Sequence, residues 1–220
     1  MDRIKQPIRI DVKEPDGAIH DLRFRRLLGD LQWKSLPKDT QRRFSKRVTN
    51  NAATVYVGHV TELKMNRAGR WLANILRVIG APLPICESAG GPSVVYVTED
   101  KVGNGQVWTR VYSNNHQFPQ VIHSAKRFDG PTGLEEYIGF GIVMALNVSV
   151  EDQVLTFKSA DYYLNIGTFR LKLPTFLTPG NLTVTHDDCG NAQFDFGLRL
   201  EHPIFGCLLK QVGHYREESH

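Results

Sequence analysis

Apolar and polar residues alternate with a period of two through most of the chain after Pro92, and this alternation is typical of β-strands. Residues 94–99 and 106–113 flank Gly103-Asn104-Gly105. An Asn-Gly pair between two strand-like runs is a strong hairpin signal, because both residues tolerate positive φ. The pattern predicts about nine strands in total. The remaining candidates are residues 54–63, 121–128, 141–150, 154–159, 182–186, 193–201 and 208–215.

The first fifty residues show a different spacing of apolar positions. A strand-like stretch at residues 8–12 comes first, and apolar residues within 22–28 then recur at roughly helical spacing until Gly29 ends the pattern. A second helix is predicted to begin at Pro37, since proline fits the first helical turn, where its missing N–H has no intrahelical partner. This section is therefore predicted to be mainly helical.

The strongest helix prediction covers residues 66–80, with Asn66 as the N-cap and a glycine at the end. Arg67, Arg70 and Arg77 lie towards the side opposite its apolar stripe. Such a helix either packs on the core with its basic face in water, or acts as a lid or membrane-touching element that attracts anionic ligands or lipids. The stripe consists of Ala68, Leu72, Ile75, Leu76 and Ile79.

Strands that follow one another through short turns pair antiparallel, and a long meander closes on itself to protect its edges. No helical crossover pattern separates these strands, which argues against a parallel α/β fold. We predict an α+β, β-rich fold: an antiparallel curved sheet or closed β-barrel with N-terminal helices and one capping helix. The chain is expected to form a single domain, residues 1–220, with a helical section at 1–50 and a β-rich body at 54–215.

Composition narrows the class of protein further. The chain is 41% hydrophobic and 23% charged, with 27 basic and 23 acidic residues, so its net charge of +4 predicts no nucleic-acid partner. No apolar run is long enough for a transmembrane segment and no secretory signal is visible, so we expect a cytoplasmic protein. The three widely spaced cysteines predict neither a disulfide framework nor a thiolate zinc site. We predict no metal and no cofactor.

Alternation along one strand selects the first candidate binding residues. Trp108, Arg110 and Tyr112 share one face of their strand. The opposite face carries Val107, Thr109 and Val111. If their face points into the barrel, the Arg110 guanidinium offers a fixed fork for a carboxylate or phosphate beside aromatic walls. The alternative places this face outside, with Arg110 stacked on Trp108 in solvent.

Other polar residues are candidates for the same interior. Glu135 and Glu136 are consecutive, so on a strand only one of them can face inwards. Glu135 is taken as the candidate to contact Arg110. The two residues would form either a charge-neutralising structural pair or part of an acid/base site. Tyr163 is a further candidate for the pocket mouth. His59 and His202 complete the candidate general bases, although each also fits a histidine that forms a local hydrogen bond. Residues 186–189 hold four potential metal ligands but most resemble a hairpin tip.

Several short motifs together resemble a bacterial family catalogued as domain of unknown function 4166, over a span from Phe24 to Tyr215. The resemblance implies a grouping and no mechanism. Members are often fused behind a saccharopine-dehydrogenase-like oxidoreductase domain, which implies an oxidoreductase as a possible partner. The motifs that carry it are Phe24-x-x-Leu27-Leu28-Gly29, Trp33-x-x-Leu36-Pro37, Trp108-x-Arg110, Glu135-x-x-x-Gly139-x-Gly141, Leu173-Pro174, Pro179-Gly180, Phe194-x-Phe196 and His202-Pro203-x-x-Gly206.

Three functional hypotheses follow from the sequence. The first is a binding module whose apolar pocket takes a small hydrophobic or amphipathic acid, with a few polar groups to set its orientation. The second is an enzyme, such as an isomerase, cyclase or hydrolase, that uses Glu135, His59 or His202 as general base in the same cavity. The third is an accessory domain that docks on an NAD(P)-dependent oxidoreductase.

Overall fold

A computed structural model describes residues 19–49, 52–78, 83–84, 89–113 and 118–218. The strand-like stretch at 8–12 and the end of the predicted helix at 79–80 lie outside the described residues. The described residues form three α-helices, α1 (Arg23–Ser35), α2 (Lys38–Phe44) and α3 (Arg67–Val78). No helix in the described part of the chain has the length and apolar character required to cross a membrane.

Thirteen strands account for most of the described residues. They are β1 (Ile19–His20), β2 (Lys46–Arg47), β3 (Ala53–Met65), β4 (Pro92–Asp100), β5 (Gly105–Tyr112), β6 (Gln120–Arg127), β7 (Glu135–Gly139), β8 (Ile142–Glu151), β9 (Val154–Ile166), β10 (Phe169–Lys172), β11 (Asn181–Gly190), β12 (Gln193–His202) and β13 (Gly206–Glu217).

The large sheet closes into an antiparallel barrel. Strands β3 to β9 each pair with the next, β9 pairs with β11, and β13 returns to pair with β3. Ten of the eleven strands of this sheet form the ring, while β10 pairs only with β9. The prediction of an antiparallel curved sheet or closed barrel of about nine strands is thus confirmed in its closed form, with β7 as the ring strand that the sequence pattern did not reveal.

The barrel wall divides along one edge of β9. Its first half pairs with β11, with Lys158 opposite Thr183, whereas its last residues pair with β10 in a hairpin. Residues 173–180 fill the space where β11 leaves β9. The Tyr162 hydroxyl donates to the Gly180 carbonyl oxygen at 3.0 Å and fixes this segment against the wall.

The two ends of the barrel are closed differently. At one end, called the helical end, side chains of α1 and α2 insert into the interior: Phe24 contacts the rings of Phe44 and Phe157 at centroid distances of 5.2 and 6.1 Å. At the other, the α3 end, the Asn66 Oδ1 accepts the Gly69 N–H at 2.7 Å and caps α3 as predicted. The α3 end also contains residues 118–119, 139–142, 166–180 and 202–206, because antiparallel strands bring these connections to the same side.

The close packing of α3 on β13 depends on a glycine. A Cβ built on Gly69 would lie 2.1 Å from the Leu208 carbonyl oxygen, so only glycine allows the helix this approach. Leu72 and Ala68 then pack on the apolar cluster of Leu200, Leu208 and Leu209. The helix is thereby held across the edge of the barrel, where Leu76 reaches the interior.

Candidate functional site

A cavity of about 180 Å³ lies inside the barrel towards the α3 end. Most of its wall is apolar, as expected for a small-molecule site. The polar residues in its wall are Arg110, Tyr112, His123, Ser124, Glu136 and Tyr162. The apolar side chains are Leu76, Leu83, Pro84, Ile122, Ile138, Ile142, Met144, Leu173, Leu177, Pro179, Leu182, Val184, Leu198 and Leu200.

The alternation of β5 determines which of its residues reach the interior. Arg110 and Tyr112 are buried and line the main cavity. Trp108 lies further from the α3 end and lines two smaller cavities, of about 20 and 10 Å³, and the smaller of these also touches Arg110. The shared face predicted for these three residues therefore points into the barrel. Its residues line the main cavity and the two smaller cavities further from the α3 end.

A buried ion cluster lies beside the cavity, and three of its members, Arg110, Ser124 and Glu136, line the cavity wall. The Arg110 Nη1 donates to the Ser124 Oγ at 3.2 Å, and the Ser124 Oγ donates to the Glu136 Oε1 at 2.5 Å. The Lys126 Nζ donates to the Glu136 Oε2 at 2.9 Å, and the Arg110 Nη2 lies 3.7 Å from the Glu136 Oε1. All four residues are buried. Two cations thus share one carboxylate.

The surroundings of this cluster determine its charge state. Burial by itself raises the pKa of Glu136, but the charges of Lys126 and Arg110 and the hydrogen bonds from Ser124 and Lys126 outweigh it and hold that pKa below its ordinary value. Burial lowers the pKa of Lys126 and the Arg110 charge lowers it further, against the opposing effect of Glu136. While Lys126 is protonated, the ionised Glu136 carboxylate and the two basic groups give the cluster a net charge of +1, which favours an anion beside it.

Glu135 lies outside the cavity, which corrects the predicted contact with Arg110. Its side chain has no exposed surface and forms an ion pair with Arg170 of β10, with the Arg170 Nη1 at 3.1 Å from the Glu135 Oε2. The Arg170 guanidinium also lies 4.0 Å from the centre of the Tyr163 ring. Glu135 and Tyr163 therefore belong to an outer cluster under β10, and the carboxylate that meets Arg110 is that of Glu136.

The two candidate histidines also lie away from the cavity wall. His59 is exposed on β3, with its ring 6.0 Å from that of His214 on the neighbouring strand β13. The His202 Nδ1 accepts the Ile204 N–H at 3.2 Å and its ring lies 4.9 Å from that of Phe205. His202 thus makes the local hydrogen bond that was one of its two interpretations. Neither histidine contributes to the cavity lining.

The structure adds a buried histidine that the sequence interpretation assigned to a hairpin tip. His186 is 4% exposed and lines the cavity of about 20 Å³ together with Arg43, Phe44 and Trp108. Burial, followed by the nearby Arg43 charge, lowers the pKa of His186 to about 3. Among the described residues, its Nδ1, the Trp108 Nε1 and the Arg43 Nε and Nη2 have no hydrogen-bond partner. This cavity has room for about one water molecule.

Residues 186–189 form part of β11 and not a turn. His186 faces the interior and Asp188 is engaged by the Arg43 Nη1 at 3.3 Å, whereas Cys189 is exposed. Consecutive strand residues point to opposite faces, so these four side chains cannot surround one metal ion. Instead, within the described chain, Cys189 shares an outer cluster with Asp195 and His214, whose potential ligand atoms lie within 4.8 Å of one another.

Comparison with known proteins gives one match. The family model described as Domain of unknown function (DUF4166) matches residues 36–215. This span contains α2, α3 and the whole barrel except the last residues of β13, and it begins after α1. No curated protein and no solved structure matches the chain.

Proposed function

This chain belongs to the family described as Domain of unknown function (DUF4166), and we propose that it is a binding protein whose ligand is a small amphipathic acid. The family description supplies no ligand or reaction, so the proposal depends on the cavity alone. The observation that carries it is an apolar chamber whose wall contains Arg110 and Glu136, with the Lys126 Nζ buried beside Glu136 as a second basic group. The acid group would bind beside Arg110 and the apolar part among the leucines.

The cavity size limits the ligand. An apolar cavity of about 150 Å³ is known to hold a benzene molecule. A chamber of about 180 Å³ therefore suits an aromatic acid or an acid with a short alkyl chain. Leu177 lines the chamber while being 62% exposed, so the chamber reaches the surface beside it, and a longer chain would extend outwards there.

Arg110 is expected to bind the acid group. Its guanidinium shares Glu136 with Lys126, and the nearest Arg110 nitrogen to that carboxylate is 3.7 Å away, longer than a direct hydrogen bond. The guanidinium thus keeps donors for a second carboxylate, and charge-assisted hydrogen bonds of this kind contribute about 1.5–3 kcal/mol each. An alcohol of the same length would lose this contribution, and an amine would be repelled.

A matched ligand series tests the proposal. Octanoic acid, octanol and octylamine would be compared by thermal unfolding of the full chain at neutral pH. Acid present at a hundredfold excess over its Kd would stabilise the fold by about 2.7 kcal/mol, which corresponds to a rise of roughly 5–10 °C in a protein of this size. We expect the acid to raise the melting temperature most and the amine least. Equal shifts with acid and alcohol, or none with any compound, would contradict the proposal.

Two arginine variants separate the cavity from the outer ion pair. Arg110→Met leaves Glu136 paired with Lys126, so the fold should persist while the Kd for octanoic acid rises roughly 10- to 100-fold. Arg170→Met removes the partner of Glu135 outside the cavity, and the Kd should not change. Calorimetric titration of both variants measures the difference. Equal losses of affinity in the two variants would show that the effect does not depend on the cavity arginine.

The enzymatic alternative has less support from the geometry. Glu135, His59 and His202 do not line the chamber, so none of these candidate bases is placed to reach a molecule bound there. Glu136 and His123 do line it. Two cations hold the pKa of Glu136 low, which weakens it as a base at neutral pH, and His123 is exposed on β6.

A further inference from the structure

Large apolar side chains are concentrated on the outer surface of the α3 end. The described residues contain fifteen exposed large apolar side chains, and eleven of these belong to this end. Phe118 is 92% exposed and Phe176 is 78% exposed. Single exposed apolar residues are ordinary, but a large group on one face marks an interaction site. The eleven are Trp71, Ile75, Phe118, Phe140, Ile166, Phe169, Leu171, Phe176, Leu177, Ile204 and Phe205.

These side chains belong to separate segments of the α3 end. Trp71 and Ile75 lie on α3, Phe140 in the turn between β7 and β8, and Phe176 in the segment that fills the gap beside β9. Phe205 lies in the turn between β12 and β13. Apolar side chains that project from several loop tips and one helix suit a broad, deformable apolar phase better than a single peptide in a groove.

In the described connections of the α3 end, the charged side chains have one sign. Its described segments 66–78, 118–119, 139–142, 166–169, 173–180 and 202–206 contain no aspartate or glutamate, whereas α3 exposes Arg67, Arg70 and Arg77. The connections at the helical end contain several acidic residues, including Asp129 and Asp152. An apolar surface beside exposed arginines is complementary to anionic lipid headgroups above acyl chains.

We propose that the α3 end docks on the surface of an anionic lipid bilayer. Trp71, Phe176 and Phe205 enter the headgroup region, and the arginines of α3 lie against lipid phosphates. Against a second copy of the same face, these arginines would meet their own positive counterparts, which disfavours self-association through it. Docking would bring the mouth of the cavity to the membrane. The docking proposal does not depend on what the cavity holds, because Trp71, Phe176 and Phe205 are not among the residues that line the cavity.

Vesicle co-sedimentation of the full chain tests this surface. Vesicles of phosphatidylcholine alone would be compared with vesicles that contain about 30% phosphatidylserine, because each basic residue near an anionic surface strengthens binding roughly fivefold. We expect much stronger binding to the anionic vesicles, with affinity that falls as salt is raised. The triple variant Arg67→Gln, Arg70→Gln, Arg77→Gln should lose roughly 100-fold in affinity for them.

An apolar variant and a matched control complete the test. Trp71→Ala with Phe176→Ala should weaken binding to anionic vesicles at least about tenfold, since both side chains would leave the apolar phase. Leu31→Ser with Val102→Ser removes two equally exposed apolar residues outside the α3 end and should leave binding unchanged. Melting temperatures of all variants verify folding.

Three results would overturn the membrane assignment. The first is the absence of binding to either vesicle, and the second is an equal loss of affinity in the control variant. The third is a dimer in sedimentation velocity that dissociates in Trp71→Ala with Phe176→Ala, since the face would then serve a second copy. The acid-binding proposal would survive each of these results, because its own test uses the chain without vesicles.

Discussion

Removal of the Glu136 charge is predicted to destabilise the barrel severely. The substitution Glu136→Gln keeps the size and hydrogen-bonding shape of the side chain but leaves Arg110 and Lys126 buried without a counter-charge. Two cations that were each attracted to one carboxylate would then repel each other in a buried site. The fold must either hold this excess charge or release a proton from Lys126.

The size of the effect follows from the distances. At an effective dielectric constant near 20, the attraction of a carboxylate to a cation is about 6 kcal/mol at the 2.9 Å Lys126 contact. The Arg110 contact at 3.7 Å gives about 4 kcal/mol on the same basis. The desolvation of Glu136 opposes these terms by several kcal/mol. Loss of one partner from a buried ion pair typically costs about 3–5 kcal/mol, which we take as the expected decrease in unfolding free energy.

Urea unfolding at pH 7 measures this decrease. The companion variant Lys126→Met should restore most of the stability when combined with Glu136→Gln, because the double variant buries only the Arg110 charge. Glu135→Gln is the matched control on the same strand, with a partner, Arg170, that is 33% exposed, and its effect should be smaller. A Glu136→Gln variant as stable as the Glu135→Gln variant would refute the reasoning, as would a double variant no more stable than Glu136→Gln alone.

Three further predictions concern the helical end and the barrel wall. His186 has a pKa of about 3 in the folded protein and about 6.5 in the unfolded chain, so the unfolded chain takes up a proton first as the pH falls. The unfolding free energy should therefore decrease below pH 6.5 by about 1.4 kcal/mol per pH unit. Urea unfolding of His186→Phe at several pH values should lack this contribution to the slope. Phe24→Ala should lower the free energy of unfolding by about 3–5 kcal/mol, because it removes a buried ring from the core. Although Phe24 precedes the residues matched by the family model, thermal unfolding of the variant should show one cooperative transition. A separate low-temperature transition would contradict this. Gly58→Ala should destabilise the barrel strongly, because the new Cβ would lie 2.0 Å from the His214 carbonyl oxygen. In Gly190→Ala the new Cβ has no neighbour within 4 Å, so the cost comes only from the backbone strain of a φ of 75° and should be smaller. Calorimetric unfolding compares the two variants.

Local signals in the sequence were sufficient for most of the fold. The Asn-Gly hairpin forms between β4 and β5, where Asn104 has a φ of 52°, and Asn66 caps α3. Closure of the barrel was predicted because a long antiparallel meander closes on itself to protect its edges. The face of β5 that carries Trp108 and Arg110 was also correctly grouped, because alternation within one strand needs no knowledge of its partners.

The remaining features depend on pairing between distant strands. β7 is only five residues long, and Glu135 and Glu136 hide its alternation. The choice between these carboxylates is made by register, since β6 places Lys126 opposite Glu136 and the interior residue Met144 lies opposite it on β8. His186 was placed where a strand ends and a turn begins, because Asp, Asn and Gly follow it, but β11 continues to Gly190 and the turn lies at residues 191–192.

The most direct test of the central claim uses octanoic acid with an isotope-labelled carboxyl carbon, followed by NMR as the pH is varied. Bound beside Arg110 in a cluster of net positive charge, the carboxyl group should give a separate resonance whose pKa lies below that of the free acid. The bound resonance should weaken or disappear in Arg110→Met and persist in Arg170→Met. A bound acid that titrates like the free acid, or no bound resonance in the unmodified protein, would contradict the account.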